Sequence, residues 1–316
     1  MSHKQLMVAL LDKHQPLSLL LQGKPLHYLD IPFYGNVGDL LIMSGTLRFF
    51  EREKLRVVRM GMYFNYDSKW ARPNDVIVFQ GGGNFGDIYG PFQGFRERVI
   101  SELPGNRIVI LPQTIYFENP SNFKRCCETF SRHPDLHICV RDHRSFELAL
   151  QMTNNVYLMP DMAHQLWPIT PSVADGKGVL RLFRRDAEIS ENRDPDFSGI
   201  STTDWDELVG KRWIYFLSVF AERAIYHAHK LKVNGPFANL EARLWINQAH
   251  RFIDRAIELF SKHKLVESDR LHAHILSCLL GMPNIISDNS YGKNHAYIDA
   301  WTKDSELVSA KQSGKL

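Results

Sequence analysis

The sequence predicts an α/β protein: a parallel sheet with helices on both faces, followed by a second, smaller α/β unit. Three observations carry that reading. Short β-rich runs alternate with amphipathic stretches through the first half. Residues 75–80 (DVIVFQ) form a near-continuous apolar run, as in a strand buried on both faces. After two long helical patterns, strand–helix alternation returns beyond residue 264.

Residues 26–31 (LHYLDI) read as the first strand. Residues 40–53 follow as a helix, with Leu40, Met43, Leu47 and Phe50 on one face. Residues 57–60 and 75–80 are the second and third strands, and Gly81–Gly83 ends the third. A helix over 96–103 stops at Pro104-Gly105. A strand over 107–111 follows, then a helix over 123–132, a strand over 136–140, a helix over 145–152 and a strand over 156–159. Residues 169–177 are rich in turn formers and mark a linker, which places domains at 1–170 and 171–316. In the second half, 179–183 is a strand and 188–206 a polar loop. Helices are expected over 213–230 and 239–263. Strands over 265–267 and 284–287 alternate with helices over 271–280 and 295–301.

The 316 residues include 38 Lys and Arg against 35 Asp and Glu, a net charge of +3 with no polybasic tail, so nucleic-acid binding is not expected. No stretch approaches the roughly 20 apolar residues of a spanning helix. The apolar run at 213–221 is too short, and the patch at Leu17–Leu21 lacks the features of a signal peptide. Cys126, Cys127, Cys139 and Cys278 form no CxxC pair, so reduced thiols in a cytoplasmic protein are expected, with no disulfide scaffold. The pairs His227/His229 and His272/His274 are two residues apart and do not share a helix face, so no metal site is expected.

Ligands of doubly wound folds sit beyond the carboxyl ends of the strands, and four stretches fall there. Gly35-Asn36-Val37-Gly38-Asp39 joins a strand to a helix through a turn with open backbone amides, suited to an anion or a hydroxyl-rich ligand; Asp39 could equally cap the helix. Gly81-Gly82-Gly83-Asn84-Phe85-Gly86-Asp87 matches a dinucleotide fingerprint in form but follows the third strand rather than the first. No acidic residue ends the next strand to hold a ribose, so Gly82, Gly83 and Asn84 read as a ligand-facing loop without a nicotinamide cofactor. Arg141-Asp142 and Asp161 end neighbouring strands, where helix capping and ion pairing compete with function. Arg184-Arg185-Asp186-Ala187-Glu188 and Ser268-Asp269-Arg270-Leu271-His272 each follow a strand of the second half; the latter is a compact acid–base and anion-binding set.

Taken in order, YGNVGD, QGGGNFGD, LPQTI, VRDHRS, LMPDMAH, LFRRDAE and SDRLHAHILSCLLGMP resemble the polysaccharide pyruvyl transferase family over about residues 28–300. The resemblance implies two Rossmann-like domains in a GT-B-like arrangement, with the active site in the interdomain cleft. It implies transfer of the enolpyruvyl unit of phosphoenolpyruvate onto two hydroxyls of a sugar in an exopolysaccharide or cell-surface glycan precursor. The products would be a cyclic ketal and phosphate. Phosphoenolpyruvate would be a co-substrate, with no cofactor. By the family motifs, Arg184 and the triplet Arg270, Leu271, His272 would bind it, each arginine holding one anionic group. His272 would protonate the methylene carbon, and Asp269 or Asp39 would take protons from the sugar; Asn36, Gly38, Gly82, Gly83 and Asn84 would bind substrate from the first-domain side of the cleft. A lipid-linked acceptor would bring the protein against the inner membrane face. The alternatives are a GT-B-like glycosyltransferase using a nucleotide sugar and a non-catalytic glycan- or nucleotide-binding module.

Overall fold

The computed structural model describes residues 1–173, 175–184, 204–205, 238–288 and 292–311. The expected helix over 213–230, most of the polar loop over 188–206, and the stretch from Arg185 to Glu188 lie outside the described residues. The chain opens with α1 (His3–Asp12) and α2 (Gln15–Leu21), then β1 (Pro25–Leu29), α3 (Val37–Arg52) and β2 (Arg56–Gly61). Next come β3 (Val76–Phe79), β4 (Gly82–Gly86), α4 (Gly90–Glu102), β5 (Ile108–Tyr116), α5 (Pro120–Phe130), β6 (Leu136–Val140), α6 (His143–Ala149) and β7 (Val156–Leu158). The second half contributes β8 (Val179–Leu182), α7 (Ala238–Ser261), β9 (Leu265–Ser268), α8 (Leu271–Leu280), β10 (Asn284–Ile286), α9 (Lys293–Trp301) and β11 (Val308–Ala310).

The first sheet is parallel in the order β2-β1-β3-β5-β6-β7, with β4 also paired to β5. Its strands are apolar on both faces because both faces are covered. Val76, Val78, Val109 and Leu111 join the cluster that holds α3, while Ile77, Phe79, Ile108 and Ile110 join the one that holds Phe95 of α4 and Phe130 of α5. The second sheet is parallel in the order β11-β10-β9-β8. The cluster containing α3 continues through Trp245 and Phe252 of α7 to Leu182 and Val266 of the second sheet.

Three features depart from the expected elements. The glycine run after β3 is the strand β4 rather than a loop. A Cβ at Gly86 would lie 1.6 Å from the Tyr116 carbonyl oxygen, so glycine is required for β4 and β5 to pair this closely. Strand β5 runs on past Leu111, where Pro112 reads as a stop. Proline is tolerated because it falls at the register shift between Ile110 and Gln113 against β6. The helices α1 and α2, and the strand β11, have no counterpart in the sequence reading. Helix α1 is fixed by a capping box between Ser2 and Gln5. Among the described residues, no helix is long and apolar enough to cross a membrane.

Histidines tie the N-terminal helices to the rest. His3 contacts the Cys278 carbonyl at 2.8 Å and the Ser305 hydroxyl at 2.7 Å. His14 contacts the Pro160 carbonyl at 2.9 Å. Within the segment that follows, His164 meets the Tyr297 hydroxyl at 2.8 Å, and His274 sits between Asn284 and Thr302. Burial depresses His14 and His274 to about 4 and His164 to about 3. The unfolded chain binds these protons near pH 6.5 and the folded chain does not, so stability is full above 6.5 and is lost as pH falls toward 4. Between pH 7 and pH 5 each histidine should cost about 2 kcal/mol. Urea midpoints should fall over that interval, and His274→Gln should flatten the slope; a flat profile in the parent protein would contradict this.

Candidate active site

In the first sheet the strand order reverses between β1 and β3, where a doubly wound fold opens a crevice. The backbone leaving β1 takes a left-handed turn at Asp30 (φ 64°), and Asn36 then caps α3 by accepting the Gly38 N–H at 3.0 Å. Strands β9 and β10 precede α8 and α9, whose starts carry no side-chain cap. The starts of these three helices face one cavity of about 320 Å³. Asn36 and Asp39 come from α3, Arg270, Leu271 and His272 from α8, and Lys293 from α9. Tyr34, Gly83, Asn84, Tyr89, Phe92, Arg141, Arg184 and Trp205 complete the lining. Helix N-termini carry partial positive charge and unpaired N–H groups, and among the described residues Arg141, Arg184, Arg270 and Lys293 add four cations against the carboxylate of Asp39. The arrangement favours a multiply charged anion.

Beneath the cavity lies Asp161, fully buried. Arg141 donates to it through Nη1, and His272 Nε2 lies 3.3 Å from the same oxygen. A carboxylate can only accept, so His272 carries its proton on Nε2 toward Asp161. Burial alone would raise Asp161; His272, Arg141 and the Ala163 N–H outweigh it and hold the carboxyl well below the usual range. A Cβ at Gly38 would sit 2.6 Å from His272 Nδ1, so the glycine lets α3 approach the histidine ring. Asp39 is pushed up by burial, against the opposing effects of His272, Lys293 and a hydrogen bond from Tyr34.

A second buried network supports β4. The Asn84 amide accepts from Arg96 at 2.8 Å and Gln113 at 3.0 Å, and donates to Asp30 at 2.9 Å. Arg96 also pairs with Asp30 at 3.2 Å. Burial raises Asp30 to about 6 despite Arg96.

Of the residues singled out from sequence, Asn36, Asp39, Gly83, Asn84, Arg184, Arg270, Leu271 and His272 line the cavity. Gly38 and Gly82 stand behind it; Gly82 has φ +125°, and a Cβ there would lie 3.5 Å from Asp39 Oδ1. The Asp269 carboxylate accepts the Arg184 N–H at 2.8 Å and so fixes the end of β8. Arg270 faces Asp204, with Nε 2.6 Å from one oxygen and Nη2 2.7 Å from the other. Asp142 caps α6 by accepting the Ser145 N–H at 2.7 Å. Lys293, Tyr89, Phe92 and Trp205 were not singled out, and Tyr34 entered only as the first residue of YGNVGD. Lys293 begins a helix after a strand, the one signal that could have pointed to it. The four aromatics carry no distinguishing local pattern.

The sequence profile of polysaccharide pyruvyl transferases matches residues 36–291, a span that includes the starts of α3 and α8 at the cavity and ends just before α9. The chain belongs to the polysaccharide pyruvyl transferase family. It is 39% identical over 308 residues to EpsO of Bacillus subtilis (strain 168), which is assigned to pyruvyl transfer; the match covers 95% of this chain and 93% of EpsO. It is 26% identical over 298 residues to pyruvyl transferase 1 of Schizosaccharomyces pombe (strain 972 / ATCC 24843), covering 88% of this chain and 70% of that one. A solved structure of a functionally uncharacterised Klebsiella pneumoniae protein matches the fold with a TM-score of 0.60 at 22% identity, over 95% of this chain and 99% of that one. Membership makes this pyruvyl transferase chain an enzyme of transfer to polysaccharide.

Gly38→Ala should leave the protein folded but push the His272 ring from its seat on Asp161. Turnover should fall roughly 100-fold, the scale of a misplacement of about 1 Å. Parent-level turnover in a folded Gly38→Ala protein would remove His272 from the chemistry.

Proposed function

We propose that the enzyme transfers the enolpyruvyl group of phosphoenolpyruvate onto two hydroxyls of one sugar in an exopolysaccharide or cell-surface glycan precursor, giving a pyruvate ketal and phosphate. The observation that carries this reading is the convergence, among the described residues, of three helix N-termini and four cationic side chains on one cavity with the carboxylate of Asp39. Phosphoenolpyruvate offers a matching carboxylate and phosphate on one small carbon frame. In a GT-B-like arrangement of two domains, donor and acceptor meet in the cleft between them, with the donor on the side of Arg184 and Arg270.

His272 protonates the methylene carbon of the donor, and positive charge builds at the carbon bearing the phosphate. One sugar hydroxyl adds there and gives its proton to Asp39, whose raised affinity for a proton suits a general base. The carbon–oxygen bond to phosphate breaks, and the second hydroxyl closes the ring. One proton enters the methyl group and two leave the hydroxyls; the second of these goes to the departing phosphate, which leaves as HPO4 2−, so no proton is released overall. Asp161 orients the His272 ring between turnovers. Arg184 and Arg270 hold the donor, Arg270 oriented by Asp204 and Arg184 by the Asp269 carboxylate on its N–H. Asp269 thereby positions a binding residue instead of acting as the base. A lipid-linked acceptor would bring the cavity mouth to the membrane face.

Phosphate release from phosphoenolpyruvate should depend on a glycan acceptor. His272→Ala should lower turnover at least roughly 100-fold with the fold retained. Arg270→Ala should weaken donor binding by about 2–4 kcal/mol, because a buried charge partner is lost. Phosphoenolpyruvate at about a hundredfold excess over its dissociation constant should stabilise the protein by roughly 2–3 kcal/mol without acceptor. Stabilisation by a nucleotide sugar and none by phosphoenolpyruvate would replace this reading with glycosyl transfer.

A further inference from the structure

Arg141 is fully buried, and two of its three nitrogens are committed. Nε donates to the Thr114 hydroxyl at 2.9 Å and Nη1 to Asp161. Nη2 is buried with no partner among the described residues. Buried donors are almost always paired, so an orphan on the wall of a cavity marks where a ligand acceptor belongs. The neighbouring backbone agrees. A Cβ at Gly83 would lie 3.4 Å from Arg141 Nη2 and 3.0 Å from Lys293 Nζ, so both cations reach toward the same point, and that point is open because residue 83 has no side chain. A guanidinium and an ammonium carry donors and no acceptor. Their shared ligand must supply oxygen lone pairs, and two positive charges favour an oxyanion over a sugar hydroxyl. Thr114 and Asp161 fix the guanidinium plane, and the Trp301 indole N–H fixes the Arg141 carbonyl at 2.8 Å. The donor group is therefore held in place before any ligand arrives.

We infer that Arg141 and Lys293 form a second oxyanion subsite over Gly83: instead of one anionic group per arginine, Arg184 and Arg270 together hold one of the donor's phosphate and carboxylate, and this subsite takes the other. The inference rests on the reading of the cavity as a phosphoenolpyruvate site. It assigns the donor's two charged ends to different points: one end to the arginines that follow β8 and β9, the other to the gap between Arg141, just after β6 of the first sheet, and Lys293, which starts α9 after β10 of the second. A donor bridging these points would span the crevice, which fixes the direction from which the acceptor sugar approaches.

Direct titration of the intact protein with phosphoenolpyruvate tests this, with three variants. Arg141→Lys keeps a cation for Asp161 and removes the Nη2 donor. Lys293→Gln removes the second charge. Gly83→Ala fills the cradle without altering any charge. Each should raise the phosphoenolpyruvate dissociation constant at least tenfold, and Arg184→Ala should do so independently. If Arg141→Lys fails to fold, Lys293→Gln and Gly83→Ala decide the matter. Parent-like affinity in these variants, with loss confined to Arg184→Ala, would overturn the second subsite and leave the donor assignment standing. Absence of binding by the parent protein would overturn the donor assignment and the subsite with it.

Discussion

One buried carboxylate organises this molecule. Asp161 sits between Arg141 at the end of β6 and His272 at the start of α8, and its backbone N–H donates to Tyr297 of α9 at 3.1 Å. The first sheet, the second sheet's helices and the connecting segment meet at this residue. Stranding a charge there would cost several kcal/mol. The cost is met by pairing on two sides and by the Ala163 N–H at 2.9 Å. Neither sheet can shift relative to the other without breaking one of these contacts.

The close approaches follow from that constraint. Glycine at 38 admits the histidine ring, and glycine at 45 admits the turn after Asp161, where a Cβ would lie 2.1 Å from the Met162 carbonyl oxygen. Helix α3 is thus pressed against both the connecting segment and α8. Its N-terminus and that of α8 then open on the same cavity, and their dipoles act on the same ligand. The geometry that gives a compact core between the sheets also concentrates positive potential where the chemistry takes place.

Much of this was legible in the sequence. The apolar run at β3, the helix of 271–280 and the strand of 136–140 follow from periodicity and turn formers alone, because local pattern and burial agree there. The glycine run was read as ligand-facing but not as a strand, since a GGGNFG segment has little β propensity and is held by pairing with β5. Arg270 and His272 were legible as a charged pair at a helix start. Asp161 was placed at the correct edge of the sheet, but its partner His272 is 111 residues away, and no local pattern reports such a contact. Lys293 and Arg141 were lost as binding groups for the same reason: one reads as an ordinary surface lysine and the other as an ion-pair partner.

The fold match to a solved structure at 22% identity speaks to architecture, while family membership and the cavity speak to chemistry. The link between them is the claim that Asp161 and His272 act as one unit. A double-mutant cycle on donor-dependent phosphate release, comparing Asp161→Asn, His272→Ala and the pair, measures that link directly. If the two residues work together, the double variant should be no more than a fewfold slower than His272→Ala alone. Effects that multiply in full, or parent-like turnover in folded Asp161→Asn, would contradict the claim.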